Sequence, residues 1–300
     1  MTIRFDDRVA IVTGAGGGLG RAHVLEFARR GAKVVVNDLG GAVDGTGGSS
    51  EAAEKVVATI KAAGGTAIAN GASVTDDAGV AHLVAQTLDA FGRIDILVAN
   101  AGILRDKSFG KMELKDFAAV LDVHVMGSVK PAKAVWPHMR ERQYGRIVVT
   151  TSSTGLYGNF GQANYGAAKL ALVGLMHTLK LEGAKDNIRI NAICPVAATR
   201  MTENLMPPPM LEMLKPEYVT PGVVFLASDD APSGVIVTAG AGVFAAAQTV
   251  ETDGISLGRE VNADSVAANW QRIADFSNAQ PYASGTEQVA KILQRAQTPG

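Results

Sequence analysis

Short apolar runs alternate with longer stretches of helical character along the first 240 residues. Val and Ile dominate the runs, which is typical of buried strands. We predict strands near residues 8–13, 33–38, 66–70, 94–99, 146–151, 188–194 and 235–239. Because the Ala-rich stretches between the runs are long enough for helices, the pattern predicts an α/β fold with a doubly wound parallel sheet of the Rossmann type. Such sheets bind ligands at the carboxyl ends of their strands.

Two regions depart from this alternation. Residues 199–215 contain three consecutive prolines and four methionines. They predict a mobile lid over a substrate, since methionine suits an adaptable apolar wall; an ordinary surface excursion is the alternative. Residues 241–300 continue with a short strand and with helices near 263–275 and 285–296. We therefore expect a single domain over residues 1–240 and a C-terminal extension that covers the substrate or contacts another subunit.

A glycine-rich turn follows the first predicted strand. Its spacing is Gly14-x-x-x-Gly18-x-Gly20, with Gly16 inside it and with Leu19 where the pattern G-x-G-x-x-G has its last glycine. Glycines let the backbone approach a pyrophosphate, and the N-terminus of the following helix offers it free N–H groups. These five residues are therefore candidate dinucleotide contacts; a glycine turn without a ligand is the alternative.

The second predicted strand ends in a carboxylate, Asp38, eighteen residues after Gly20. An acid at this place can accept hydrogen bonds from the ribose hydroxyls of a dinucleotide, and it would repel a 2′-phosphate. No basic residue lies between Gly14 and Gly20 or directly after Asp38. We therefore predict NAD as the cofactor in preference to NADP. The alternative is a turn residue that caps the strand.

Tyr165 and Lys169 are four residues apart at a predicted helix start, so they share one helix face. Lowering the pKa of a phenol by about two units requires roughly 2.7 kcal/mol. A cation ~4 Å away supplies about 4 kcal/mol at an effective dielectric constant of about 20. Ser152 follows a predicted strand and could donate to the same substrate oxygen. These residues predict a proton-transfer site, although a Tyr-x-x-x-Lys pair alone is typical of a solvated helix face.

Together these residues resemble the short-chain dehydrogenase/reductase family over roughly residues 5 to 240. The motifs that carry the resemblance, in family order and spacing, are the glycine turn with Thr13 before it, Asn100-Ala101-Gly102, Ser152, Tyr165 and Lys169. The resemblance implies that the tyrosine is the general acid or base. It also implies that the lysine lowers the pKa of that tyrosine and holds the nicotinamide ribose, and that the serine orients the substrate oxygen. Asn100, Ala101 and Gly102 are implied cofactor contacts.

Within the family, the chain is similar to the (3R)-hydroxyacyl-CoA dehydrogenase units of peroxisomal multifunctional enzymes and their bacterial relatives. The similar segments are residues 36–41, 100–106, 136–139, 157–165, 214–219, 268–270 and 275–276. The similarity implies oxidation of (3R)-3-hydroxyacyl-CoA with NAD, a homodimer or homotetramer, and a separate enoyl-CoA hydratase as a working partner. A ketoacyl-carrier-protein reductase or a hydroxysteroid dehydrogenase is the alternative. A non-catalytic nucleotide sensor would not need the intact proton-transfer residues.

Several positions depart from the family pattern. His124 stands where the family has an asparagine that anchors a water for proton relay; it could hold the same water or simply pack in its helix. Ser73 precedes Val74 where the family has an acid, so both are candidate rather than established adenine contacts. The loop from Pro195 to Thr199 is one residue shorter than usual. Pro195 and Thr199 remain candidate contacts of the nicotinamide amide.

Composition narrows the function classes. A hydrophobic content of 47% with 19% charged residues excludes a disordered chain, and a net charge of −1 argues against nucleic-acid binding. The single cysteine, Cys194, excludes an internal disulfide and is expected to be a buried, inert thiol. No apolar run reaches eighteen residues, so no membrane helix is predicted. The polar start leaves no room for a signal peptide and the C-terminus has no peroxisomal tripeptide, so we expect a cytoplasmic protein.

Other polar residues suggest little chemistry. The histidines at 23, 82, 138 and 177 lie in separate predicted helices without ligand spacing, so no metal site is predicted. Arg105, Lys107 and Lys111 follow the fourth predicted strand. They could contact the phosphates of CoA at the rim of a pocket, or they could belong to a solvated loop.

Overall fold

An eight-stranded sheet forms the centre of the computed structural model, which describes residues 2–198 and 208–297. The strands follow one another in space in the order β3-β2-β1-β4-β5-β6-β7-β8, and every pairing from β1 to β7 is parallel. Their bounds are β1 Val9–Thr13, β2 Lys33–Asn37, β3 Thr66–Asn70, β4 Ile96–Ala99, β5 Gly145–Thr150, β6 Ile188–Pro195, β7 Ile236–Gly240 and β8 Val243–Ala247.

Helices connect the parallel strands, and three more follow β8 among the described residues. Their bounds are α1 Gly18–Arg29, α2 Glu51–Ala62, α3 Asp77–Phe91, α4 Leu114–Leu121, α5 Gly127–Glu141, α6 Ser153–Tyr157, α7 Ala163–Gly183, α8 Pro208–Met213, α9 Thr220–Leu226, α10 Ala263–Ala268, α11 Trp270–Ile273 and α12 Gly285–Gln297. A π-helical turn, Asp122–Met126, joins α4 to α5. None of the helices in the described ranges combines the length and the apolar character that crossing a membrane requires.

The central strands are apolar on both faces because helices cover both. All residues of β1, β4 and β5 are buried, as strands of a parallel sheet covered on both faces should be, including Arg146 of β5. The core packs Val and Ala side chains of β1 and β2 against Phe27 of α1 and Ile60 of α2. The predicted α/β fold with a doubly wound parallel sheet is therefore confirmed.

The eighth strand reverses direction at the edge of the sheet. Ala241 and Gly242 connect β7 to β8, and both have positive φ angles, 51° and 77°. Two consecutive residues of this kind form the hairpin turn that suits twisted antiparallel strands. The first four residues of β8, Val243 to Ala246, are exposed.

The chain divides into two compact units, one up to Ala246 and one from Ala247 onward. In the second unit, the Glu251 carboxylate accepts hydrogen bonds from Lys291 Nζ at 2.7 Å and from Gln288 Nε2. No residue between 247 and 297 is buried. Large apolar side chains of this unit are exposed instead, among them Trp270, Phe276, Val289, Ile292 and Leu293.

Candidate active site

The glycine turn at the end of β1 has a backbone that only glycine fits. Gly14 and Gly18 have φ angles of 64° and 51°, in the left-handed region. A Cβ on Gly20 would lie 2.2 Å from the carbonyl oxygen of Gly14, so the turn is folded tightly on the first residues of α1. Leu19 packs against the apolar core, which explains why a glycine is not needed there. The result is a backbone cradle with the N-terminus of α1 beside it.

Thr13 joins this turn to the end of β4. Its hydroxyl oxygen accepts hydrogen bonds from the backbone nitrogens of Asn100 and Ala101, at 3.0 and 3.1 Å. The side-chain amide of Asn100 donates to the carbonyl oxygens of Thr13 and Gly14. Thr13 belongs to the sequence motif, but its positioning role was not predicted from the sequence. The sequence signal is a hydroxyl residue directly before Gly14. Gly102 follows Asn100 and Ala101 and lies against the imidazole ring of His124.

Asp38 lies directly after β2 and faces the glycine turn. Its carboxylate accepts hydrogen bonds from the backbone nitrogens of Gly16, at 2.7 Å, and Gly40, at 2.6 Å. Beside it, Gly16 and Gly40 line a cavity of about 440 Å³ together with two basic residues, Arg21 and Lys55. These two cations were missed by the sequence prediction because they lie on α1 and α2 rather than in the glycine turn.

The end of β3 is held by buried amides. Asn37 Nδ2 donates to Asn70 Oδ1 at 2.8 Å and to the carbonyl oxygen of Ala72 at 2.9 Å. Ser73 forms a local turn in which its hydroxyl contacts the hydroxyl of Thr75 at 2.9 Å. Val74, the next residue, is buried and packs against Gly127 at the start of α5. Ser73 and Val74 therefore lie at the predicted edge of the sheet, and their contact with adenine stays a prediction.

Ser152, Tyr165 and Lys169 come together at the end of β5. Ser152 caps α6, where its oxygen accepts a hydrogen bond from the backbone nitrogen of Thr154 at 3.2 Å. The Ser152 side chain also lies near the phenol of Tyr165 and acts to lower its pKa. Lys169, one turn further along α7, has its Nζ 5.5 Å from the centre of the Tyr165 ring. The spacing of these residues therefore places them in one group, as predicted.

Burial controls the pKa values of this group. Burial raises the pKa of Tyr165, and the neighbouring Ser152 only partly opposes that shift. Burial also lowers the pKa of Lys169 to about 7, while its Nζ donates to the carbonyl oxygen of Thr150 at 2.6 Å. Lys169 is not among the groups that shift the pKa of the phenol in this geometry, so its predicted role in lowering that pKa stays a prediction. The ammonium is directed to a backbone oxygen, and desolvation of the phenol dominates.

His124 is buried in the π-helical turn, edge-on to Tyr165 with ring centres 5.2 Å apart. Its Nε2 lies 2.8 Å from the carbonyl oxygen of Ile103. Burial lowers the pKa of His124 to about 3, so the ring is neutral at pH 7. Its Nδ1 has no hydrogen-bond partner within the described residues. Its backbone oxygen accepts the hydroxyl proton of Ser128 at 2.7 Å, which leaves the ring as the better candidate for holding a water.

The structure describes only part of the region that follows β6. Pro195 ends β6 and pairs with Ala239 of β7. Thr199 and most of the predicted lid, residues 199–207, lie outside the described residues. Cys194 is buried, and burial raises the pKa of its thiol to about 11, as an inert thiol requires. Among the residues that the structure describes, no group of three His, Cys, Asp or Glu side chains could hold a metal ion.

Comparisons with known proteins agree with this geometry. The short chain dehydrogenase family model matches residues 8–209. The chain is 50% identical to peroxisomal multifunctional enzyme A of Dictyostelium discoideum over 98% of this chain and 66% of that protein. It is 51% identical to a putative short-chain type dehydrogenase/reductase of Mycobacterium tuberculosis over 91% of this chain and 96% of that one.

A solved structure is similar over nearly the whole chain. It is the full-length peroxisomal multifunctional enzyme type 2 of Drosophila melanogaster, with a TM-score of 0.82 and 37% identity over 98% of this chain. Our chain spans 50% of that chain and about two thirds of the Dictyostelium protein, so both relatives contain further sequence. The glycine cradle, the buried Ser-Tyr-Lys group and the family match lead to one conclusion: the chain belongs to the short-chain dehydrogenase family and is an oxidoreductase that acts on CH–OH groups with a nicotinamide cofactor.

Proposed function

We propose that this protein oxidises (3R)-3-hydroxyacyl-CoA to 3-ketoacyl-CoA with NAD, or catalyses the reverse reduction. The observation that carries the proposal is the buried phenol of Tyr165, with Ser152 beside it and Lys169 one helical turn away. The acyl-CoA assignment is supported by the sequence segments shared with multifunctional-enzyme dehydrogenases and by the relatives that carry that name. A separate hydratase that forms the hydroxyacyl thioester would be its working partner.

The residues present fit a dinucleotide. A Cβ at Gly14 or Gly20 would overlap neighbouring backbone atoms, so only glycine allows the tight turn whose backbone would contact a pyrophosphate. Asp38 lies where the ribose hydroxyls would be held. Asn100, Ala101 and Gly102 with Pro195 would border the nicotinamide half. A bound nicotinamide supplies the hydride acceptor or donor for C3 of the substrate.

Tyr165 and Ser152 would handle the oxygen on C3. In the reductive direction the phenol gives its proton to this oxygen, while the Ser152 hydroxyl donates a hydrogen bond to it. In the oxidative direction the hydroxyl proton passes to the phenolate as C3 becomes a carbonyl carbon. Because burial raises the pKa of Tyr165, the phenol is protonated at pH 7, which favours the reductive step. Lys169, with a pKa of about 7, can exchange the proton onward.

His124 is the candidate for the last step of that proton path. Buried polar atoms are normally hydrogen bonded, by protein or by an ordered water. The Nδ1 of His124 is buried and unpartnered among the described residues, and its ring contacts Tyr165. This supports a relay through a water held by the imidazole over the alternative of simple packing.

A homodimer or homotetramer is the proposed assembly. The second unit has no buried residue and exposes large apolar side chains, and β8 exposes an apolar edge. Exposed apolar surface of this extent marks an interaction site.

We expect light scattering at micromolar concentration to give at least a dimer, and Phe244→Asp in β8 to shift the equilibrium toward monomer. A monomeric wild-type protein would contradict the proposal.

We expect a preference for NAD over NADP, because the Asp38 carboxylate would repel a 2′-phosphate. Steady-state kinetics with both cofactors measure it. Asp38→Ser should narrow the preference, since Arg21 and Lys55 line the neighbouring cavity and could then attract the phosphate. Equal or better efficiency of the wild-type protein with NADP would show that the interpretation of Asp38 is wrong.

Tyr165→Phe should lower kcat by about 10²-fold or more, which is typical for loss of a general acid or base. Binding of NADH, followed by fluorescence, should stay nearly intact, whereas Lys169→Ala should impair both kcat and binding. Because burial raises the pKa of Tyr165 from its ordinary value of 10, the phenol of the wild-type protein should lose its proton only above pH 10; the oxidation rate should rise there and the reduction rate should fall.

His124→Gln tests the relay within the same pH profile. Glutamine keeps a polar atom near the position of Nε2 and removes the one at Nδ1, so a purely packed His124 predicts an unchanged pH profile.

Near-normal turnover of Tyr165→Phe would overturn the proton-transfer scheme as a whole.

The substrate is tested with the two purified enantiomers of a medium-chain 3-hydroxyacyl-CoA. Tyr165 and Ser152 define where the oxygen lies and the cofactor face defines where hydride leaves, so one configuration at C3 should react. We expect NADH to form from the R enantiomer. Preference for S, or activity on a hydroxysteroid or a carrier-protein substrate alone, would replace the acyl-CoA assignment with the corresponding alternative.

A further inference from the structure

A glycine-rich loop, here called the strap, comprises residues 39–49 between β2 and α2. Its base is closed by a hydrogen bond from the backbone nitrogen of Ser49 to the carbonyl oxygen of Leu39 at 2.7 Å. Its tip is closed by a second bond, from Ala42 N to Thr46 O at 2.8 Å. Most strap residues are exposed. The strap is therefore a self-contained loop with few contacts to hold it in place.

The tip of the strap contacts the loop that follows β4. The backbone nitrogen of Leu104 donates to the carbonyl oxygen of Val43 at 3.0 Å. Gly45 packs against the side chain of Ile103. In the sheet, β1 lies between β2 and β4, and the glycine turn stands at its carboxyl end. A loop from the β2 side that reaches the β4 side therefore crosses the groove where the dinucleotide is proposed to bind.

Arg105 provides the side-chain contact that holds the tip. Its Nε donates to the carbonyl oxygen of Asp44 at 3.0 Å, and its Nη1 donates to Asp116 Oδ1 at 3.2 Å. The Asp116 side chain on α4 is only 13% exposed, so it is a stationary anchor. The planar guanidinium suits this geometry because it can donate in two directions at once.

Arg105 is also linked to α7, the helix that carries Tyr165. The side-chain amide of Asn164, which is fully buried, donates to the carbonyl oxygen of Arg105 at 3.0 Å. The Oδ1 of Asn164 accepts a hydrogen bond from the backbone nitrogen of Tyr165 at 2.8 Å. Arg105 thus lies between the strap and the residue proposed to transfer the proton.

We propose that Arg105 is a positioning residue that holds the strap across the dinucleotide groove and thereby slows release of the cofactor. The proposal rests on the dinucleotide placement proposed above and is independent of the acyl-CoA assignment. It gives Arg105 a different role from contact with the phosphates of CoA. Since its guanidinium is already bonded to the strap and to Asp116, it is poorly placed to serve both.

The dissociation rate of NADH, measured by stopped-flow displacement on the full-length protein, tests the proposal without any acyl substrate. Arg105→Met should raise this rate by about tenfold, the effect of losing one charge-assisted hydrogen bond. Arg105→Lys should recover only part of the loss, because an ammonium cannot reproduce the fork. Lys115→Met, which removes an exposed cation of α4 that pairs with Glu113, is the matched control and should leave the rate unchanged.

A shortened strap, with two glycines in place of residues 42–47, identifies the mechanism. If Arg105 acts through the strap, the shortened protein and its combination with Arg105→Met should release NADH equally fast. Additive effects, or an unchanged rate in Arg105→Met with an unchanged melting temperature, would overturn the proposal. A defect of Arg105→Met that appears only in KM for acyl-CoA, and disappears with an N-acetylcysteamine thioester, would assign Arg105 to the CoA phosphates instead.

Discussion

The burial of one ammonium group organises the catalytic side of the sheet. Lys169 is only 3% exposed, and its Nζ donates to the carbonyl oxygen of Thr150. Its own carbonyl oxygen accepts a hydrogen bond from the Thr151 hydroxyl at 2.8 Å. These two bonds hold α7 against the carboxyl end of β5. Gly155 lets α6 approach α7 closely, because a Cβ there would lie 2.8 Å from the Cβ of Lys169.

The chemistry of the neighbouring groups depends on this arrangement. A charged amine is disfavoured in a desolvated place, so the pKa of Lys169 falls toward neutrality. The same desolvation keeps Tyr165 protonated and His124 neutral. At neutral pH, Tyr165 and His124 are thus without charge, whereas Lys169, with a pKa of about 7, exchanges between its charged and neutral forms. A proton that moves from the phenol of Tyr165 to neutral Lys169 leaves a phenolate and an ammonium close together, which is a charge pair and not an isolated buried charge.

The sequence predicted the fold and the spacing within the site, because both depend on local patterns. Apolar runs marked the parallel strands, and the four-residue interval between Tyr165 and Lys169 placed them on one face of α7. The pKa of Tyr165 could not be predicted in the same way. It depends on how deeply α7 is buried and on which oxygen the lysine reaches, and neither is encoded in spacing.

Contacts between distant segments were also beyond the sequence patterns. Arg21 and Lys55 lie on different helices, and only the packing of α1 beside α2 brings both to the cavity next to Gly16. Thr13 likewise stands at the end of an apolar run, and only the pairing of β1 with β4 shows that its hydroxyl holds Asn100. The family resemblance located the motifs, while these side chains required the three-dimensional structure.

The exposed edge at β8 has a consequence for the behaviour of the isolated chain. Val243 to Ala247 form an apolar strand without a proline or a charged residue, next to a short hairpin turn. Edge strands usually carry such residues because unpaired backbone groups can recruit a strand from another molecule. An unpaired β8 edge is therefore a template for edge-to-edge aggregation, and the proposed oligomer would remove that template by covering it.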